Sequence, residues 1–263
     1  MSEYETIIFE KNAGIAKIIL NRPDKANGIM PTLGKELLDA SIRCAQDSSV
    51  RVVILTANGK MFSAGGDLKA FASFGETISA ELKKLTTDLH AAISNLVNMN
   101  APLIVGVNGM AAGAGFSLAL IGDYVIAAES SKFTMAYTAA GLSPDGSSSY
   151  FLPRLVGLRK TQELMINNPL LSAEEALNIG LINRVVTNDE LDEQVNELAQ
   201  KLASGPTLAY GMVKKLLAVS FNNGLETQME LEGIGISAMA KTEDGKEGIA
   251  AFLEKRKPEF IGR

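Results

Sequence analysis

Over roughly the first two hundred residues, short runs of β-branched and aliphatic residues alternate with longer stretches whose apolar positions fall three and four apart. That rhythm is the mark of an α/β chain. Ile15 to Leu20, Arg51 to Thr56, Leu103 to Val107 and Tyr124 to Ala128 read as strands. The unbroken apolar run of the second predicts a strand covered on both faces. The clearest helix runs from about Glu76 to Asn98, where Ile78, Leu82, Leu85, Leu89, Ile93 and Leu96 build one apolar stripe opposite a wet face. Ser172 with Glu175, and Thr187 with Glu190, have the spacing of capping boxes, which satisfy orphan amides at a helix start. Beyond about Ser204 the strand signals stop. Pro206 stands near one helix start, Asn222-Asn223-Gly224 marks a break, and Leu225 to Met239 reads as another helix. The expected division is therefore a core over residues 1–203 and a helical region over 204–263. Near its end, Phe252 to Lys257 sets an apolar anchor beside three positive charges, which suits a solvated helix end favoured by the macrodipole.

Composition narrows the function classes. With 263 residues, 46% of them hydrophobic and 21% charged, the chain is long and apolar enough for a full core, which excludes disorder and coiled coil. Its 25 basic and 30 acidic residues give a net charge of −5, against the basic face that a nucleic-acid partner requires. Cys44 is the only cysteine, so no intramolecular disulfide forms and a reducing compartment is expected. The first residues lack the basic-then-apolar pattern of a leader. No run reaches the roughly 18 apolar residues of a membrane helix. Phe260-Ile261-Gly262-Arg263 matches no peroxisomal or lipidation signal. Together these features lead us to expect a cytoplasmic protein with no membrane partner.

The inventory also removes several catalytic machines. The single histidine, His90, lies three residues before Ile93 in the amphipathic helix and reads as a surface or packing residue rather than a base. There is no Gly-x-Ser-x-Gly elbow, no phosphate loop and no metal-ligand cluster. Glycine concentrates in two places, Met61 to Leu68 and Val107 to Leu118. The second reads as a strand that breaks at Asn108-Gly109 and restarts as a helix of small residues, whose unpaired first amides could hold an oxyanion. A dinucleotide loop competes, although Leu118 stands where its third glycine belongs. So does a plain combination of tight turns and close packing. A third segment, Ala140 to Tyr150, contains the turn sequence Ser143-Pro144-Asp145-Gly146. Asp145 is either a turn or capping residue, or a general base among Leu142, Tyr150 and Phe151.

These three segments, with Leu20-Asn21-Arg22-Pro23, Leu152 to Gly157 and Ala251 to Lys257, resemble the crotonase, or enoyl-CoA hydratase/isomerase, superfamily over nearly the whole chain. The resemblance implies a crotonase-like spiral of stacked ββα units with a C-terminal helical trimerisation region, assembled as a trimer or a dimer of trimers. It implies an acyl-CoA thioester substrate, with coenzyme A arriving as part of that substrate, and neither a permanently bound cofactor nor a metal. Matching positions make the amides of Gly66 and Ala114 the oxyanion hole. They put coenzyme A along Arg22, Lys25, Ala26, Ser63 and Ala64, with Phe252 and Lys255 helping from a neighbouring region or subunit.

Hydratase members use two glutamates, and this chain has Ser117 and Tyr137 at those positions. Asp145 instead matches the catalytic carboxylate of isomerase members, and Leu142 to Gly146 is similar to the loop of the phenylacetate-pathway ring-epoxide isomerase. The resulting expectation is an isomerase in which Asp145 moves a proton, the Gly66 and Ala114 amides hold the enolate, and Phe116, Ser117, Tyr137 and Leu142 form the pocket. A hydratase with atypical groups, and a non-catalytic acyl-CoA binder or RNA-associated member, stay open as alternatives.

Overall fold

A hairpin of β1 (Ile7–Asn12) and β2 (Ile15–Leu20) opens the computed structural model, in which residues 4–263 are described. Helix α1 (Pro31–Gln46) follows, with Pro31 at its first position, where a missing N–H costs nothing. Three successive units then repeat one plan. In the first, β3 (Val52–Ala57) and β4 (Met61–Ser63) lead to α2 (Leu68–Ala72) and α3 (Ile78–Asn98). In the second, β5 (Leu103–Val107) and β6 (Met110–Ala112) lead to α4 (Ala114–Leu120). In the third, β7 (Tyr124–Ala128) and β8 (Lys132–Thr134) lead to α5 (Ser148–Asn167), which breaks at Gly157. The chain continues through β9 (Leu171–Ser172), α6 (Ala173–Asn178), β10 (Arg184–Val186) and α7 (Leu191–Ala203). It ends in α8 (Thr207–Ser220), α9 (Leu225–Met239) and α10 (Glu243–Leu253).

The two strands of each unit go to different sheets. First strands join a six-stranded sheet ordered β1-β2-β3-β5-β7-β10, and second strands join a four-stranded sheet ordered β4-β6-β8-β9. Pairing between units is parallel in both sheets. This is the spiral of stacked ββα units, closed by helices at the C-terminal end.

β3 is buried at all six positions, as its apolar run requires. Val53 and Leu55 face the main core with Leu33, Leu37, Leu89 and Leu96 of α1 and α3. Val52 and Ile54 face the other way, onto Leu191, Val195 and Ala199 of α7. Both capping boxes form, at Ser172 with Glu175 and at Thr187 with Glu190.

Two expectations change. The Val107 to Leu118 segment does not pass directly from strand to helix, because β6 intervenes and pairs with β4 and β8. The positive charges of Lys255 to Lys257 lie beyond the end of α10 rather than in its last turn, where no basic residue stands. Arg256 there is paired with Glu247 and Glu254 instead.

Candidate active site

The glycines at the ends of β4 and β6 bring two loops into contact. Gly65 has φ +89°, and a Cβ added to it would lie 2.7 Å from the Ala112 carbonyl and 3.2 Å from the Ala114 amide nitrogen. Only glycine permits that approach. Ile29 bridges the same loop in parallel fashion, donating to the Gly65 carbonyl at 2.7 Å and accepting from the Asp67 amide at 2.9 Å. In a parallel bridge those flanking bonds turn the amide of the middle residue, Gly66, away from Ile29. Ala114 begins α4, so its amide has no acceptor within the helix. Gly66 and Ala114 line one cavity of about 300 Å³, together with Leu82, Leu85 and Leu89 of α3.

Asp67, which the motif reading passed over, fixes the Gly66 loop. Its carboxylate caps α2 by accepting from the Ala70 amide at 3.1 Å and meets the Arg22 guanidinium at 3.1 Å. Burial alone would raise the Asp67 carboxyl, but the Ala70 amide and Arg22 outweigh it and hold the group below the usual carboxylate range. Arg22 also donates to the Gly28 carbonyl at 2.6 Å. Its guanidinium thus braces the loop that carries Gly66.

Asp145 reaches the same cavity from the other side, in the segment before α5. Three hydroxyls surround its backbone carbonyl: Ser117 Oγ donates to it at 2.7 Å, Ser148 Oγ at 3.0 Å and Tyr137 Oη at 3.2 Å. Tyr137 Oη is also 3.0 Å from Ser117 Oγ. Desolvation pushes the Tyr137 phenol above its ordinary range; the Ser117 hydrogen bond opposes this and the Asp145 charge adds to it. Tyr137 therefore keeps its proton and serves as a donor. Gly146 (φ +62°) completes the brace, since a Cβ there would fall 2.9 Å from Ser117 Cβ.

The Asp145 side chain does not cap a helix. Its Oδ1 lies 2.6 Å from His90 Nε2, with side-chain exposures of 29% for the aspartate and 48% for the histidine. His90 is a surface residue, as its place on the amphipathic helix predicts, and although it stands 55 positions earlier in the chain it also touches the candidate base. Nothing local in the sequence signals this, because the contact depends on how α3 packs against the third unit.

The remaining site residues divide into those brought together and those kept apart. Tyr137 and Leu142 line the cavity, while Phe116 does not: it is 1% exposed and packs on Phe133 with ring centroids 5.9 Å apart. Ser117 is fully buried behind Asp145. Ala64 lines the cavity and its amide donates to the Ala26 carbonyl at 2.9 Å, with Lys25 exposed beside Ala26. Ser63 is fully buried; its hydroxyl donates to the Asn27 carbonyl at 2.9 Å and accepts from the Gly65 amide at 3.1 Å, so it shapes the loop from behind. Phe252, 84% exposed, lines a separate cavity with Pro206 and Phe260, and Lys255 lies beyond α10; neither lines the Asp145 cavity.

Residues 10–263 match the family model described as Enoyl-CoA hydratase/isomerase. The chain belongs to the enoyl-CoA hydratase/isomerase family. It is 34% identical to the 1,2-epoxyphenylacetyl-CoA isomerase of Escherichia coli K12, over 98% of this chain and 99% of that protein. It is also 34% identical to the crotonyl-CoA hydratase of Syntrophomonas wolfei, over 99% of each. The crystal structure of enoyl-CoA hydratase from Bacillus anthracis superposes with a TM-score of 0.92 at 31% identity, covering 98% of this chain and all of that one. The chain is thus a crotonase-fold acyl-CoA hydratase/isomerase, and among the described residues no helix is long and apolar enough to cross a membrane.

Proposed function

We propose that the protein is an acyl-CoA isomerase, moving a double bond from the 3- to the 2-position of an enoyl-CoA, or rearranging a ring-epoxide acyl-CoA. One observation carries this reading: among the described residues lining the cavity, Asp145 is the one carboxylate, and it shares that cavity with the Gly66 and Ala114 amides. Addition of water across a double bond needs groups that hold and activate the water and protonate the second carbon. An allylic shift needs a base that takes a proton from one carbon and returns it to another. Ser117 and Tyr137, at the positions of the hydratase glutamates, are engaged in bracing the Asp145 backbone.

In the proposed reaction the thioester carbonyl accepts hydrogen bonds from the Gly66 and Ala114 amides. Asp145 breaks a C–H bond of the acyl chain and gains the proton. The electron pair spreads through the enolate onto the carbonyl oxygen, where fixed donors in a dry pocket are worth several kcal/mol. The carboxyl then returns its proton to the more distant carbon, and the double bond settles next to the carbonyl. The walls of Leu82, Leu85, Leu89 and Phe71 keep water from the enolate. Arg22, Lys25, Ala26 and Ala64 are proposed to meet the coenzyme A moiety. Phe252 and Lys255 would have to come from a second copy, in keeping with a trimer or a dimer of trimers, which sedimentation velocity reads directly. One buried cysteine suits a cytoplasmic enzyme.

Isomerases and hydratases are both among the chain's relatives, so the deciding experiment separates these outcomes by retention and mass. A panel of 3-enoyl- and 2-enoyl-CoA esters and a ring-epoxide acyl-CoA, separated by chromatography before mass spectrometry, should give from the 3-enoyl or the ring-epoxide ester a new species of shifted retention and unchanged mass. Gain of one water by the 2-enoyl esters, with no isomerisation, would overturn the proposal in favour of a hydratase. No turnover with any of these esters would overturn it in favour of a binding protein.

A further inference from the structure

His90 is the chain's only histidine, and no step of the proposed reaction uses it. Two cavities meet at its contact with Asp145. Asp145 lines the 300 Å³ cavity with the oxyanion amides, whereas His90 lines a different and larger groove of about 1020 Å³ between α3, α5 and α8. The imidazole therefore reaches the chemistry through the carboxylate rather than through the substrate. Its bond is short, 2.6 Å, and is made to Oδ1. The Asp145 backbone is already fixed by Ser117, Tyr137 and Ser148, so the remaining freedom of this base is rotation of its carboxyl group. A donor on one carboxylate oxygen removes that freedom.

We propose that His90 is the positioning residue for Asp145: with its proton on Nε2 it donates to Oδ1 and leaves the other oxygen to take and return the substrate proton. This rests on the isomerase reading above and adds to it the group that orients the base. The other charged groups lining the groove are already engaged. Arg154 of α5 sits over the Tyr150 ring, 3.6 Å from its centroid, and donates to the Tyr150 carbonyl. Lys214 of α8 is paired with Asp123 at 2.7 Å. Tyr124 and Tyr210 also line the groove. On α3 itself the positions three and four residues from His90 are Thr86, Thr87, Ile93 and Ser94, and Lys83 stands one turn further away.

The test uses the protein as described and 3-hexenoyl-CoA as the probe, and reads kcat and KM separately. His90→Ala should lower kcat by about 10 to 100-fold, the scale of a misplaced catalytic group, with KM within about twofold. His90→Gln, whose amide can donate to the same oxygen, should recover most of kcat. A kcat within twofold of wild type in His90→Ala overturns the proposal while leaving Asp145 as the base. Failure of His90→Gln to exceed His90→Ala overturns it too, because a donated hydrogen bond would then not be what matters. Asp145→Asn is measured alongside: retained turnover in that variant overturns the reading of Asp145 itself, whatever the histidine variants do.

Discussion

Ser117 and Tyr137 show how a residue can be read from what it touches rather than from its usual chemistry. Each hydroxyl has one proton, and Ser117 gives its own to the Asp145 carbonyl at 2.7 Å. Tyr137 then has the Ser117 oxygen and the same carbonyl within reach. Removing the serine hydroxyl leaves the carbonyl with weaker partners and frees the Asp145 segment to shift. Ser117→Ala should therefore cost about 1 kcal/mol of stability, the worth of one net hydrogen bond, read as a shift in the urea midpoint. It should also lower kcat about tenfold through misplacement of the carboxylate. Unchanged kcat would mean that Ser148 and Tyr137 hold the segment by themselves.

At the level of elements, the loops that carry Gly66 and Ala114 depend on close approach between the first and second ββα units. Gly65→Ala asks a left-handed position to accept a Cβ and puts that atom 2.7 Å from the Ala112 carbonyl. Strain and overpacking should cost about 1 to 3 kcal/mol each. The loops should separate, so turnover is expected to fall further than stability alone would imply; a variant with normal melting and normal kcat would contradict this geometry. The long elements here were legible in the sequence. The strands Ile15–Leu20, Leu103–Val107 and Tyr124–Ala128, and the helix to Asn98, follow from runs and periods that a single segment contains. The strands β4, β6, β8 and β9 were not, because they have two or three residues each and exist through pairing with one another. For the site, the glycine loops and Asp145 stood out by composition and resemblance. The partnership of Asp145 with His90, the bracing of the Gly66 loop by Arg22 and Asp67, and the burial of Phe116 and Ser63 arise from packing between distant segments. No local pattern records those.

For the molecule as a whole, the spiral assigns one part of the site to each unit. The loop after β4 supplies Gly66, the start of α4 supplies Ala114, and the segment between β8 and α5 supplies Asp145. All three line one small, largely apolar cavity, where Asp145 is the one carboxylate among the described residues and Thr86, Tyr137 and Ser143 are the hydroxyl-bearing residues. The α9 and α10 surfaces are the counterpart of this arrangement, with Ile234, Ile236, Phe252 and Leu253 between 57% and 84% exposed, the kind of apolar area that copies of a chain cover in an assembly. The most direct test of the whole account replaces only the proton acceptor. In Asp145→Asn, isomerisation of 3-hexenoyl-CoA should fall by a factor of about 1000 or more, while calorimetric affinity for the same ester stays within about threefold, since only the proton transfer is lost. Turnover that survives this substitution would contradict the account.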